Sequence, residues 1–519
     1  MRRQDIQLIA SARQGDIAAR CEAGRRYLLG VDGFARHVAT GIDYLTHPAL
    51  KDSPQAARII AESLPLDELL ALQQERALAL AAGAGSVAAQ VKLGAWESVQ
   101  DVAAATNNRW LQAAAASGHA AARRALMTLR DEPGPQEAVL QLLRSLSASA
   151  DLDGHAVALA AADRAHAAGD LSRFSTCLRI ALALSKGMTG ELNQRVAAAV
   201  SLAEGSGQDL RGIDAEQIRS SLEARATAGD RDAAYAFGRG LCGIECAGLE
   251  AAVFAEHLNM RKGAAFLLRA ADAGCDGAWM HLYRLHSDQR LSVANAQLAR
   301  FFLEKAAARG QTEAQRKLGA LLLREANSLA ESEQAIQWVH QAASEDDPYA
   351  KALLDSLVLH VPTEGRAEDA TLAIEQVRRA DPWLAARLEL AREFGLTKLE
   401  ALCVDPVEGL RPWGLVVGKN PFISQSRLSA PRAIPALTAA AHAAARRAAS
   451  FFGQSRRDAA AAEGDLRRRS LRQRRLFERF GLSDSMFFVN ATSMTLESLR
   501  SGAKWAFRAR QPLNQALAA

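Results

Sequence analysis

The feature that most constrains this chain is a fixed spacing buried in its alanines. Four stretches align without gaps: "WLQAAAASG" (110–118), "FLLRAADAG" (266–274), "FLEKAAARG" (302–310) and "WVHQAASED" (338–346). Each carries an aromatic residue, Ala-Ala four and five positions later, and Gly or Asp at the eighth. The segment after the glycine repeats too, since "GQTEAQRKLG" (310–319) matches "GSVAAQVKLG" (85–94), and "GDRDAAYAFG" (229–238) and "GDIAARCEAG" (15–24) share the outline. With Gly15, Gly85, Gly118, Gly229, Gly274, Gly310 and Asp346 as anchors, the residue four further on is alanine every time: Ala19, Ala89, Ala122, Ala233, Ala278, Ala314 and Ala350. The last three anchors lie 36 residues apart and Gly85 lies 33 before Gly118. A period in this range marks stacked helical hairpins.

Each part of the pattern has a physical role. The anchor ends one helix, where a left-handed residue is needed and glycine adopts it without strain. The alanine at +4 starts the buried face of the next helix, joined at +8 by Leu93, Leu126, Phe237, Leu282, Leu318 or Leu354. Glycine at +9 (Gly24, Gly94, Gly238, Gly319) costs about 1 kcal/mol against alanine inside a helix, so a close helix crossing is expected there.

These residues resemble the Sel-one-like repeat family, a relative of the tetratricopeptide repeat, over about 1–130 and 220–360. The resemblance implies a right-handed α-solenoid whose concave face binds proteins, and it allows roles in bacterial envelope, secretion or polysaccharide-assembly systems. The expected fold is therefore all-α: a solenoid of stacked helical hairpins plus a small C-terminal helical module. The chain divides into repeats over 1–130, an irregular helical segment continuing the solenoid over 131–220, repeats again over 221–400, a Pro-rich connecting segment over 401–435, and a basic helical module over 436–519. Within the connection, "VDPVEGLRPWGLVVGKNPF" (404–422) is the place where extended structure is expected.

Charge separates the module from the rest. Residues 419–519 hold 18 Arg/Lys against 6 Asp/Glu, a net of +12, which leaves −7 for the remainder of a chain of net +5. Seven of the arginines fall in "DLRRRSLRQRRLFERFG" (465–481). Helices are expected over 436–452, 455–480 and 493–510. At 100° per residue, Arg468, Arg472, Arg475 and Arg479 form one stripe, while Arg467, Arg469 and Arg474 lie off it and are expected to be solvated. Arg500, Lys504 and Arg508 recur at four-residue steps in the last helix. These seven stripe residues are the candidate contacts to an anionic partner. A merely solvated face, an acidic protein surface, nucleic acid and an anionic membrane stay open as readings; stacking aromatics are not interleaved with the arginines, as a single-strand binder would have them.

Other motifs argue against chemistry. "GRGLCG" (238–243) has dinucleotide-binding glycine spacing but follows a helix, and its first glycine already belongs to the repeat. The six cysteines and eleven histidines show no metal-ligand spacing, so no metal or cofactor is expected. The N-terminal "MRRQDIQLIASARQGD" has no apolar stretch long enough for a signal peptide, no run of about 18 apolar residues marks a membrane span, and a reduced cytoplasmic protein is expected. The reading is a non-catalytic adaptor that holds other proteins, with a nucleic-acid-binding regulator as the alternative.

Overall fold

The computed structural model describes residues 3–128, 134–148, 152–361, 367–418, 431–455, 463–499 and 509–519. The chain divides into two compact units, Met1–Cys275 and Asp276–Ala519. Both are built from antiparallel helical hairpins, and no helix among the described residues is long and apolar enough to cross a membrane.

The spacing read from the sequence is the geometry of these hairpins. All six anchor glycines have positive φ, between 82° and 104°, and Asp346 stands in for the seventh at φ 64°. At several anchors the next residue then caps the following helix with its side chain: Asp16 accepts from the N–H groups of Ala18 and Ala19, Ser86 from Ala89, Asp230 from Asp232 and Ala233, and Asp347 from Ala350. Such caps satisfy otherwise orphaned donors at the helix start. All seven alanines at +4 are buried. Helix end, cap and core position are thus set within five residues.

The glycines at +9 make close crossings. A Cβ on Gly24 would lie 2.5 Å from Leu45, on Gly94 2.7 Å from Leu111, on Gly238 2.9 Å from Leu267, and on Gly319 2.5 Å from Val339. In every case the intruding side chain is the residue after the repeat's aromatic position (Tyr44, Trp110, Phe266, Trp338). Gly94→Ala should therefore destabilise by about 1–3 kcal/mol through overpacking despite alanine's better helix propensity. Thermal unfolding checks this, and adding Leu111→Ala should leave the Gly94→Ala change with little further cost.

Residues 135–227 continue the hairpins without the alanine signature, through helices Pro135–Ser147, Gly154–Ala167, Leu171–Leu184, Gly190–Ser206 and Ala215–Thr227. Gly169 (φ 70°) and the N-cap Asp170 repeat the anchor-and-cap pair there, although position +4 is Arg173.

In the second unit the C-terminal part is not a module on its own core, contrary to the expectation from its charge. Three short strands, β1 (Leu410–Arg411), β2 (Gly414–Val417) and β3 (Arg432–Pro435), form an antiparallel sheet in the order β1-β2-β3, with Leu415 opposite Ile434. Leu415, Val417 and Ile434 enter a core shared by helices Pro382–Phe394, Ala439–Ser455 and Leu466–Phe480. Val416 and Ala433, on the other face, enter the core of the last repeat hairpin, which Leu513 and Ala516 of the closing helix Arg510–Ala518 also join. Burial on both faces explains why β2 reads as an unbroken apolar run. The helix expected over 493–510 is also revised: Ser493–Ser498 and Arg510–Ala518 are separate, and 500–508 lie outside the described residues.

Candidate functional site

Two surfaces stand out, one in each unit. In the first unit an open groove of about 870 Å³ runs between the end of helix Val87–Gln100, the start of Pro135–Ser147 and one side of Leu171–Leu184. Its size falls within the ~300–1,000 Å³ range of ligand pockets. The floor is apolar, with Val99, Leu140, Cys177 and Ile180 buried beneath it. The Cys177 thiol donates toward the Val99 carbonyl at 3.7 Å, and burial pushes its pKa up to about 11, as for a thiol packed into the floor. Arg173 and Arg179 stand on the walls. Arg173 pairs with Asp170 at 3.5 Å. Arg179 forms no ion pair among the described residues and lies across Gly212, where any Cβ would meet its guanidinium at 2.7 Å. The groove lies where the end of a repeat helix meets the stretch in which the repeat signature lapses.

The second surface belongs to the helix Leu466–Phe480. Asp465 caps its start by accepting from the Arg468 N–H, and Gly481 (φ 63°) closes its end with its N–H on the Phe477 carbonyl. The inner face is fixed by Phe477 in the core and by Gln473, which donates to Asp484 at 2.9 Å. Arg469, expected in solvent, is buried instead. It donates to the carbonyls of Leu402 (2.9 Å) and Gly464 (3.0 Å) and pairs with Glu463 at 3.2 Å. Glu463 is also held by Arg387, whose two donors reach its carboxylate at 2.6 and 2.8 Å while a third caps the carbonyls of Ala401 and Val404. Burial, then the neighbouring Arg387, lowers the Arg469 pKa from its ordinary value. Helical periodicity identifies such an arginine as off the stripe; only the neighbouring chain shows that its side of the helix is covered.

Of the seven candidate contacts, Arg468, Arg475 and Arg479 are exposed. Arg472 is half-buried, lies 3.5 Å from Asp381 and donates to the Glu463 carbonyl, so it serves to anchor the helix. Arg500, Lys504 and Arg508 lie outside the described residues. The outward face consists of Arg467, Arg468, Leu471, Arg474, Arg475 and Arg479, with Glu478 at its C-terminal edge.

The glycine-rich "GRGLCG" is resolved as packing. Gly238 faces Leu267, Gly240 faces Phe254, and Gly243 (φ 66°) takes a left-handed turn. Cys242 and Cys246 are free buried thiols whose pKa values burial pushes up to about 12 and about 11.

The anchors, caps and crossing glycines define a helical-hairpin repeat protein, and the sequence of its repeat is similar to the Sel-one-like type. No family model matches the chain, and no curated protein does. Among solved structures, the chain is similar to a protective antigen of uropathogenic Escherichia coli displaying an SLR fold, at 16% identity over 92% of this chain and 95% of the antigen, with a TM-score of 0.30. It is also similar to a Sel1 repeat protein from Oxalobacter formigenes, at 19% identity over 68% of this chain and 89% of that one, with a TM-score of 0.25.

Proposed function

We propose that the protein is a non-catalytic scaffold that holds a segment of another protein in the groove of its first unit. The observation that carries this reading is the groove itself, an apolar floor walled by polar side chains, between the end of a repeat helix and helices of the 135–227 stretch that lack the alanine signature. Arg179, without an ion pair among the described residues, offers a carboxylate of the bound segment a partner at the groove wall. Burial raises the pKa of the thiol in the floor, and the described residues of the lining include no histidine, so they suit holding better than chemistry.

Affinity capture from the source organism's lysate, with wild type and variants side by side, tests this. Thr176→Trp should fill the groove and Arg179→Glu should repel the bound segment. Each should deplete the specifically retained proteins by about tenfold, the loss of ~1.4 kcal/mol. Equal retention by wild type and both folded variants would sink the reading.

A further inference from the structure

The outward face of Leu466–Phe480 has a layout that a single arginine stripe does not describe. Leu471 is 46% exposed. Its four neighbours on the helix surface, at i−4, i−3, i+3 and i+4, are Arg467, Arg468, Arg474 and Arg475. All four are exposed. Among the described residues none of the four makes an ion pair, whereas other surface cations of this unit find carboxylates: Arg300 holds Glu304 and Glu325, Arg378 holds Glu375 and Glu389, and Lys398 holds Asp484. Glu478, at the edge of the face, is not paired with them either. The helix beneath is rigidly set by its two caps, the buried Arg469 and the Phe477 core. Like charges crowded on one helix repel each other in the free protein, and an anionic partner relieves that repulsion.

An exposed apolar centre with an arginine rim is the anatomy of a protein-binding hot spot, where the centre is desolvated and the rim gives charge complementarity. We propose that this face docks an acidic amphipathic helix of a partner protein, one apolar residue covering Leu471 and carboxylates meeting Arg467, Arg468, Arg474 and Arg475. Charge complementarity selects an acidic occupant, and Leu471 selects among acidic occupants. A phosphate backbone has nothing apolar to set against a leucine at the centre of the contact, and the aromatic platforms that stack bases are missing from the face. The inference extends the scaffold reading but uses a different surface, so each stands or falls without the other.

The test uses the full chain and a fluorescent helical peptide bearing one leucine with glutamates three and four residues to either side. Fluorescence anisotropy should show binding to wild type. Leu471→Ser should weaken it about tenfold, as expected for losing a buried leucine contact, while Leu471→Met retains it. Arg467→Glu with Arg474→Glu should abolish it, and the groove variant Arg179→Glu should leave it unchanged. All substituted positions on the helix are exposed, and circular dichroism confirms that the variants fold. Failure of the peptide to bind overturns the proposal. So does tighter binding of a 20-base-pair DNA duplex, or of phosphatidylserine vesicles, that is insensitive to Leu471→Ser.

Discussion

Glu400→Ala is expected to destabilise the second unit by about 3–5 kcal/mol, the cost of leaving a buried charge without its partner. Glu400 and Arg432 are both fully buried, with Arg432 Nε donating to Oε1 at 2.8 Å and Nη2 to Oε2 at 3.1 Å. The same carboxylate accepts from the N–H and hydroxyl of Thr397, each at 3.0 Å, completing a capping box at the start of helix Lys398–Cys403. One side chain therefore joins a helix start to strand β3, and its removal leaves the guanidinium, among the described residues, with the Gly395 carbonyl 3.1 Å away. Glu400→Leu with Arg432→Met should recover most of the loss, because burying two apolar chains avoids the desolvation that the ion pair must overcome.

The same pair predicts a pH profile. Burial alone would raise the Glu400 pKa, but Arg432 and Thr397 outweigh it and hold the carboxyl below its ordinary value. A group with a lowered folded pKa adds stability that is present above its unfolded pKa, about 4.3 for glutamate, and lost as pH falls through the folded value. Urea midpoints followed by circular dichroism should fall below about pH 4 in wild type. In Glu400→Gln the midpoint should start lower and lose part of that acid limb.

How far the sequence foretold these features depended on whether their cause was local. The anchors were legible because a left-handed residue, a cap and a core alanine lie within five positions, so one offset recurs seven times. Gly169 uses the same turn but does not stand out in the sequence, since Arg173 occupies the place of the alanine. Of the extended structure expected over 404–422, the strands Leu410–Arg411 and Gly414–Val417 were legible from the prolines and apolar run, while Pro406–Gly409 is a helical turn and 419–422 lie outside the described residues. Strand β3 was not legible, because Arg432–Pro435 becomes a strand only by pairing with a segment distant in sequence. Arg469 was misplaced for a related reason. A helical wheel separates faces but does not reveal that Glu463 and the Leu402 carbonyl cover one of them. The groove left its trace only as a lapse in the repeat, which identifies a place and not a shape.

Gly395→Ala should be similarly costly, and a matched control isolates the reason. Gly395 ends helix Pro382–Phe394 at φ 55° and ψ 55°, with its N–H on the Ala391 carbonyl. A Cβ there would lie 1.5 Å from the Leu359 carbonyl oxygen, less than half an ordinary contact distance. Both atoms belong to the main chain or are fixed to it, so no rotamer change relieves the overlap. The segment around Leu359 must withdraw, and Val358 and Leu396 are part of the core beside it. Gly481→Ala meets the same backbone penalty at φ 63°, also at a helix end, yet has nothing within 4 Å of the added carbon. The control should cost about 1–2 kcal/mol, the left-handed penalty alone. Gly395→Ala should exceed about 4 kcal/mol, in the range reserved for a forced core rearrangement. Urea unfolding of the two variants reads the difference directly. Equal losses would mean that the Leu359 segment yields without cost and that left-handed strain, rather than close approach, is what requires glycine at position 395.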